Sequence, residues 1–270
     1  MNERISEILR RHSVSLFAPI AIKDCEVLRP YKLEKVGFSD FEKLSAVMLA
    51  IPYLTRQPKR NISAYAVARD YHGYFAELFD HILPELRESF PEYRFVGFAD
   101  DSPIAERNAA AAAGLGIIGD NGMLITEKYS SYVFLGEIIT DLPLNTSALP
   151  IEHCRGCGVC QRACPKGDGE CLSALTQKKG ELTENEIALI KKCGSAWGCD
   201  ICQEVCPHTL RAIKNGNIYT DIDYFKTNTI PSLSMELLDG MSDDEFSRRA
   251  YSWRKRDTIR RNLEILENKR

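Results

Sequence analysis

Nine of the ten cysteines in this chain lie between residues 154 and 206. The first four have the spacing C-x2-C-x2-C-x3-C and precede a proline, and the last three have the spacing C-x2-C-x3-C and also precede a proline. Two-residue gaps let one tight loop present three thiolates to three irons of a cubic cluster, and the cysteine before the proline binds the other cluster. The two runs therefore predict a pair of [4Fe–4S] clusters.

Two other uses of these cysteines are possible from the residues alone. Pairs of the form C-x2-C also suit tetrahedral zinc, and closely spaced cysteines can form disulfides. Zinc does not call for three evenly spaced thiolates followed by Cys-Pro, twice in one segment. We therefore expect iron–sulfur clusters, with zinc and disulfides as the alternatives.

In two-cluster ferredoxins the cysteine before the proline binds the other cluster, and this rule assigns most of the ligands. The predicted ligands of the first cluster are Cys154, Cys157, Cys160 and Cys206. Those of the second cluster include Cys164, Cys199 and Cys202. The spacing leaves its last position open between Cys171 and Cys193.

Composition excludes several classes of protein. The 270 residues are 44% apolar and 27% charged, with a formal net charge of −3, which is ordinary for a folded globular chain and predicts neither a nucleic-acid nor a membrane protein from the overall field. The charged start does not resemble a signal peptide, and no apolar run approaches the ~20 residues of a transmembrane helix. Ten cysteines without an export signal point to a reducing compartment, so we expect a cytoplasmic protein.

Apolar periodicity predicts an α+β domain ahead of the cysteines. The apolar residues from Tyr71 to Phe90 recur every three or four positions, as in an amphipathic helix. An alanine-rich helix is expected to begin with Ser102 as its N-cap and to end at Gly114. Strands are predicted at 18–23, 44–54 and 94–98, and the strands 122–126 and 132–140 as a hairpin. The expected domains are 1–145, a cluster module at 146–215 and a helical tail at 216–270.

The residues Gly114, Gly116 and Gly119 match the pattern G-x-G-x-x-G. In a dinucleotide site this pattern follows a strand and opens a helix, so that the helix N-terminus meets the pyrophosphate. Here it follows a predicted helix and precedes a predicted strand. Glycines that end a helix explain it better than a nucleotide site does.

Several stretches resemble the epoxyqueuosine reductase family, whose members are corrinoid-dependent iron–sulfur enzymes that complete queuosine in tRNA. The similar segments are 65–72, 100–107, 113–119, 134–137, 141–144 and 198–207, and a late Arg-Asn pair at 261–262. The resemblance covers most of residues 44–266, in the order of the family's motifs. The chain is more distantly similar to the reductive dehalogenases.

The resemblance implies a nitroreductase-like corrinoid-binding domain followed by a ferredoxin-like module with two [4Fe–4S] clusters. The clusters would pass electrons to the cobalt of a cobalamin. The implied reaction is reductive removal of oxygen from epoxyqueuosine in tRNA or from a related electrophile. The implied electron donor is reduced ferredoxin or flavodoxin, with no membrane involved.

The resemblance also implies roles for individual residues. Asp100, three residues before Pro103, matches the family's catalytic aspartate, which gives a proton to the departing oxygen, and His72 is a second proton-handling candidate. The implied corrinoid-binding residues are Tyr65, Arg69, Tyr71, Gly114, Gly116 and Gly119. The isolated cysteine before a Leu-Ser stretch favours Cys171 over Cys193 as the eighth cluster ligand. The structural alternatives are helix capping for the aspartates and a surface turn for 69–72.

The family's C-terminal helical-repeat extension and an N-terminal loop have no counterpart here, so the resemblance is to a short form, and tRNA and a small molecule both stay open as substrates. Residues 248–270 carry nine Lys and Arg. They would either contact phosphates or form a solvated helix face. Two other functions stay open: an electron-transfer protein whose first domain docks a redox partner, and a flavin-binding reductase.

Overall fold

The computed structural model describes residues 3–57, 59–167 and 169–267. The chain forms two compact units, one of residues 1–52 and 74–157 and the other of residues 53–73 and 158–270. The predicted division at 145 and 215 differs from these units. Segment 53–73 joins the second unit because its backbone bonds to the cluster segment: Ser63 N–H donates to Trp197 O at 2.7 Å, and Ala196 N–H donates to Asn61 O at 2.6 Å.

The first unit contains all the strands that the structure describes. They are β1 Phe17–Ala21, β2 Ser45–Pro52, β3 Phe95–Phe98, β4 Ile117–Ile118, β5 Leu124–Ile125 and β6 Val133–Thr140. Four of them form an antiparallel sheet in the order β1-β2-β6-β3. Every residue of β2 is buried, as expected for an apolar strand in the interior of a sheet.

The predicted hairpin of 122–126 with 132–140 is wrong. β5 pairs with the short strand β4, and β6 pairs with β2 along eight residues and with β3 along four. Two apolar strands of equal length bury more surface against each other than β6 could bury against the two residues of β5. The longer pairing therefore decides the position of β6.

The helices of the first unit cover this sheet. They are α1 Glu3–Arg11, α2 Pro30–Lys35, α3 Tyr71–Ser89, of which residues 74–89 belong to this unit, and α4 Glu106–Ala112. α3 buries Tyr74, Phe75, Leu78, Ile82 and Leu86, which confirms its predicted apolar face. α4 packs on β2 and β6 through four consecutive buried alanines, whose small side chains allow a close approach.

Ser102 does not cap α4, so this prediction is wrong. The helix begins at Glu106 after Ala105, which makes no side-chain capping bond. The hydroxyl of Ser102 accepts a hydrogen bond from Ile104 N–H at 3.0 Å and donates one to Glu137. A buried carboxyl group therefore takes the place of the helix end as the partner of Ser102.

The second unit is helical. Its helices are α5 Val159–Ala163, α6 Leu172–Gln177, α7 Glu184–Cys193, α8 Ile201–Glu204, α9 Pro207–Lys214, α10 Asp223–Lys226, α11 Met235–Gly240, α12 Asp243–Ser247 and α13 Lys255–Glu267. Its core is built around Trp197 and Tyr251, both fully buried, with Ile62 and Val67 from the early segment packed beside them. This shared core is why residues 53–73 fold with the later chain.

The Arg-Asn pair ties α13 to the cluster segment of the same unit. Asn262 is fully buried, and its Nδ2 donates to Thr176 O at 2.7 Å and to Ala196 O at 2.9 Å. Arg261 donates to Lys178 O and Gly180 O at 2.7 and 2.6 Å. The pair is therefore a structural clamp.

Most of the basic side chains near the C-terminus have partners inside the second unit. Arg260 pairs with Asp239 at 2.5 Å, and Arg248 pairs with Asp244 at 2.9 Å. Arg256 donates to Leu238 O and Met241 O, both at 2.6 Å. Lys269 and Arg270 lie outside the described residues. These contacts favour a structural use of the basic residues over phosphate binding.

We expect Asn262→Ala to lower the free energy of unfolding by at least about 2 kcal/mol, because it leaves two buried carbonyl groups without their donor. Thermal unfolding of anaerobically prepared protein, followed by circular dichroism, measures the effect. The matched control is Asn217→Ala, since Asn217 is exposed. Equal stability of the two variants would show that the clamp is dispensable.

Candidate functional site

The cysteines of the cluster segment are divided between the two units. Cys154 and Cys157 belong to the first unit, and the other seven belong to the second. Cys154 is fixed by the short β4 region: its N–H donates to Ile118 O at 2.9 Å, and its Sγ accepts from Asp120 N–H at 3.3 Å. The backbone and the sulfur of Cys154 are therefore both held in place.

Glycine makes the first cysteine loop possible. Gly156 and Gly158 have φ of +63° and +69°, a region that glycine enters without steric cost. Gly158 precedes α5, whose last residue is followed by Cys164. In the second unit α5 packs against α8, which carries Cys202, so two of the short cysteine-bearing helices lie side by side.

A buried carboxylate fixes the second cysteine run. Asp200, between Cys199 and Ile201, accepts hydrogen bonds from Ser63 Oγ at 2.5 Å and Ala64 N–H at 2.6 Å. Arg60 adds an ion pair at 3.1 Å. Cys206 is the N-cap of α9, so the start of this helix fixes its position.

The two candidates for the eighth ligand both lie near other thiols of the second unit. Burial raises the pKa of the Cys199 thiol to about 12, and Cys202 and Cys171 are among the neighbours that add to the rise. Burial also raises the pKa of Cys193, to which Cys164 contributes. Cys193 lines the same open cavity as Cys199. The choice of Cys171 stays a prediction.

All ten cysteines are free thiols. The described residues contain no group of three or more His, Cys, Asp or Glu side chains spaced to enclose one metal ion.

The stretch from Arg69 to His72, in the second unit, is rigidly held. The guanidinium carbon of Arg69 lies 3.9 Å from the centroid of the Tyr224 ring, and Tyr224 Oη donates to Asp70 O at 2.7 Å. His72 Nδ1 is 2.8 Å from Asp70 Oδ1, and the Tyr71 ring stacks on the imidazole at 4.2 Å. Asp70 therefore orients an exposed imidazole, and the proton-handling role of His72 stays a prediction.

Asp100 lies in the first unit, on a loop of residues 99–105 that we call the Asp100 loop. The residue is exposed, and its φ of +64° is in the left-handed region, which costs energy for a residue other than glycine. Its N–H donates to Glu106 Oε1 at 3.2 Å. The neighbouring Asp101 forms ion pairs with Lys32 and Arg29, and the hydrogen bond from Lys32 lowers the pKa of Asp101.

Two glutamates beneath this loop have no role in the sequence-based prediction. Glu137 is fully buried in β6, and its Oε1 accepts from Ser102 Oγ at 2.5 Å. Burial raises the pKa of Glu137 well above its usual value and that of Glu106 to about 7. The sequence signal that could reveal Glu137 is its position as a glutamate in the middle of an apolar strand, Val133–Thr140.

The remaining predicted corrinoid residues have contacts within their own units. Tyr65 Oη accepts from Trp197 Nε1 at 2.6 Å. Gly114 is exposed with φ of +85°, just after α4. A Cβ at Gly116 would collide with Ile125 O, and a Cβ at Gly119 would lie 2.5 Å from the side-chain oxygen of a nearby asparagine. Close packing therefore accounts for Gly116 and Gly119. Gly114 and Gly116 lie between α4 and β4, and Gly119 directly follows β4.

None of the described helices is long and apolar enough to cross a membrane. No family model matches the chain.

Curated relatives and solved structures match it over most of its length. The epoxyqueuosine reductase of Gloeobacter violaceus is 33% identical over 231 residues, which are 80% of this chain and 71% of the relative. That of Lactococcus garvieae is 32% identical over 228 residues, 78% of this chain and 62% of the relative. The chain thus spans about two thirds of the length of these relatives.

Two solved structures have the same fold. The epoxyqueuosine reductase of Streptococcus thermophilus has a TM-score of 0.74 at 25% identity and covers 98% of this chain and 81% of its own. An epoxyqueuosine reductase crystallised with an epoxyqueuosine-modified tRNA-Tyr stem loop has a TM-score of 0.71 at 25% identity and covers 97% of this chain and 80% of its own. The mixed helix and sheet fold of this chain matches both.

We expect anaerobically purified protein to hold about eight irons and eight sulfides, as two cubes require. Cys171→Ser should lose about half of the iron, because one cluster loses a ligand, whereas Cys193→Ser should keep it. Iron and sulfide analysis with electron paramagnetic resonance measures both, and Cys25→Ser, outside the cysteine segment, is the control. Loss of a cluster in Cys193→Ser alone would reverse the assignment, and stoichiometric zinc with little iron would contradict the clusters.

Proposed function

The chain belongs to the epoxyqueuosine reductase family, and on this premise we propose that it is a reductase that uses two [4Fe–4S] clusters and cobalamin. The substrate is epoxyqueuosine in tRNA or a related electrophile. The observation that carries the proposal is 33% identity over 80% of the chain to a relative of that name. A relative with this fold was crystallised with an epoxyqueuosine-modified tRNA stem loop, which favours tRNA over a small molecule.

The donor set of residues 154–206 suits two clusters. Eight thiols would be the ligands: Cys154, Cys157, Cys160 and Cys206 for the first cluster, and Cys164, Cys171, Cys199 and Cys202 for the second. Glycine-dependent turns, the Asp200 carboxylate and the N-terminus of α9 give these thiols defined positions. On the resemblance to the family, we also assign residues 146–215 to a ferredoxin-like module and residues 1–145 to a nitroreductase-like domain.

The polar residues of the second unit suit a corrinoid, whose rim carries amide groups. Tyr65, Arg69 and Tyr71 are each partly exposed, and Arg69 is held by its stacking on Tyr224. We assign them to corrinoid binding, with Gly114 as the exposed member of the glycine set. When bound, the corrinoid would supply a reducible cobalt centre, and the clusters would supply its electrons from reduced ferredoxin or flavodoxin.

Removal of an epoxide oxygen needs two electrons and two protons, and it yields an alkene and water. Both C–O bonds break, so an acid must protonate the departing oxygen. We assign that proton to Asp100, which is exposed on a loop with its backbone fixed by Glu106. His72, oriented by Asp70, is the second proton-handling group.

An electron carrier that only docks a partner is the weaker alternative. A carrier needs the cysteine segment but not an exposed aspartate in a strained backbone conformation, nor an imidazole oriented by a carboxylate. Ten free cysteines are consistent with a family of reducing enzymes that acts in the cytoplasm, where thiols stay reduced.

Asp100→Asn is expected to keep both clusters and bound cobalamin and to lower kcat by about 10²–10⁴-fold, the usual contribution of a general acid. Asp101→Asn is the matched control, because Asp101 forms surface ion pairs with its side chain 72% exposed. Turnover is measured by mass spectrometry on an epoxyqueuosine-containing tRNA stem loop with a chemical reductant. Equal losses in the two variants, or loss of cobalamin from Asp100→Asn, would mean that the aspartates stabilise the fold and do not take part in the reaction.

A further inference from the structure

A glutamate lies at the centre of the first unit's sheet. Glu137 is in β6, between β2 and β3, and its side chain is fully buried. Its Oε1 accepts the hydrogen bond from Ser102 Oγ, and no N–H or hydroxyl group donates to its Oε2. A buried carboxylate with an unsatisfied oxygen is costly, whereas a neutral carboxylic acid is much less so. The site therefore favours the protonated form of Glu137.

A second carboxyl group lies close enough to interact electrostatically with it. Glu106, at the start of α4, is partly buried. Burial of Glu137 is the largest cause of its raised pKa, and the charge of Glu106 is the second largest. The two side chains are near enough for one shared proton to join them, and no N–H or hydroxyl group donates to Glu137 Oε2. Two buried carboxyl groups near each other cannot both be charged at low cost, so one of them keeps a proton.

The surrounding charges do not compensate the pair. The titratable groups that face it are Cys25, Arg29 and Asp100. Arg29 opposes the rise in the pKa of Glu106 but forms its ion pair with Asp101, at 3.6 Å. Burial raises the pKa of the Cys25 thiol to about 12, so Cys25 is neutral. Within the part of the chain that the structure describes, neither Glu106 nor Glu137 forms an ion pair.

The pair holds the Asp100 loop at two points. Glu106 accepts the N–H of Asp100, and Glu137 accepts the hydroxyl of Ser102, two residues later. The left-handed backbone of Asp100 persists only if surrounding contacts fix it. These two hydrogen bonds are contacts of that kind, one on the strained residue and one beside it.

We propose that Glu137 carries a proton at neutral pH and that Glu137 and Glu106 are positioning residues that hold the Asp100 loop in its reactive conformation. The proposal rests on the acid role of Asp100 proposed above. A neutral Glu137 still accepts the hydrogen bond from Ser102 Oγ. Protonation therefore removes the cost of a buried charge without the loss of this hydrogen bond.

The first test is an infrared difference spectrum of the cluster-loaded protein at pH 7. We expect the carbonyl band of a protonated carboxylic acid in the wild type and in Glu92→Gln, a variant of an exposed glutamate. The band should be weaker in Glu137→Gln, whose amide keeps the shape and the acceptor of the acid, because only Glu106 of the pair can then carry a proton. A wild-type protein without the band at pH 7 would overturn the proton on Glu137.

The second test is hydrogen–deuterium exchange of the Asp100 loop in the same loaded protein. Glu137→Gln should leave exchange unchanged, because Ser102 keeps its acceptor, whereas Glu137→Ala and Glu106→Ala should speed exchange. We also expect kcat of Glu137→Ala to fall by up to about 10²-fold, as for a misplaced catalytic group, with rescue in Glu137→Gln. If Glu137→Ala does not fold, Ser102→Ala removes the same contact.

Unchanged exchange in all three variants that remove a contact would overturn the positioning role, even if Asp100→Asn is inactive. Full turnover in Asp100→Asn would instead overturn the proposed acid, and the positioning role with it, whatever the infrared spectrum shows. The two failures are therefore distinguishable.

Discussion

A carboxyl group buried in an apolar sheet must either find enough donors or keep its proton, and the Asp100 loop is built over a group under this constraint. Glu137 has one donor, the hydroxyl of Ser102, and a second oxygen that no N–H or hydroxyl group reaches. Its position on the central strand β6 is fixed by pairing on both sides. Through Ser102, the Asp100 loop is therefore hydrogen-bonded to a fixed position in the core of the first unit.

In the second unit, a buried carboxyl group has several donors instead of one. Asp200 is also buried, but it receives donors from Ser63, Ala64 and Arg60, which suit a carboxylate. Those donors come from segment 53–73, which is distant in sequence and joins the unit through the Trp197 core. The cysteines on either side of Asp200 are thus held by contacts that a cluster module alone would lack. Each unit uses a buried acid to position residues proposed to act in the reaction.

Local patterns in the sequence predicted much of this. The apolar periodicity indicates α3, β2 and β6 to within a few residues of their observed bounds. The clusters that the cysteine spacing indicates stay a prediction. The partner of β5, the true role of Ser102 and the unit to which residues 53–73 belong depend on contacts between distant segments, which periodicity does not encode. Glu106 and Glu137 lie within stretches that resemble the family, yet their chemistry follows only from burial and from each other's charge.

The most direct test of the proposed activity is a single experiment on the protein with both clusters reduced. The protein is incubated anaerobically with an epoxyqueuosine-containing tRNA stem loop, with and without cobalamin, and the nucleoside is analysed by mass spectrometry. We predict loss of one oxygen atom from epoxyqueuosine in the reaction with cobalamin, and unchanged substrate without it. Unchanged substrate in both reactions, although cobalamin elutes with the protein, would contradict the assignment of this chain as a corrinoid-dependent epoxyqueuosine reductase.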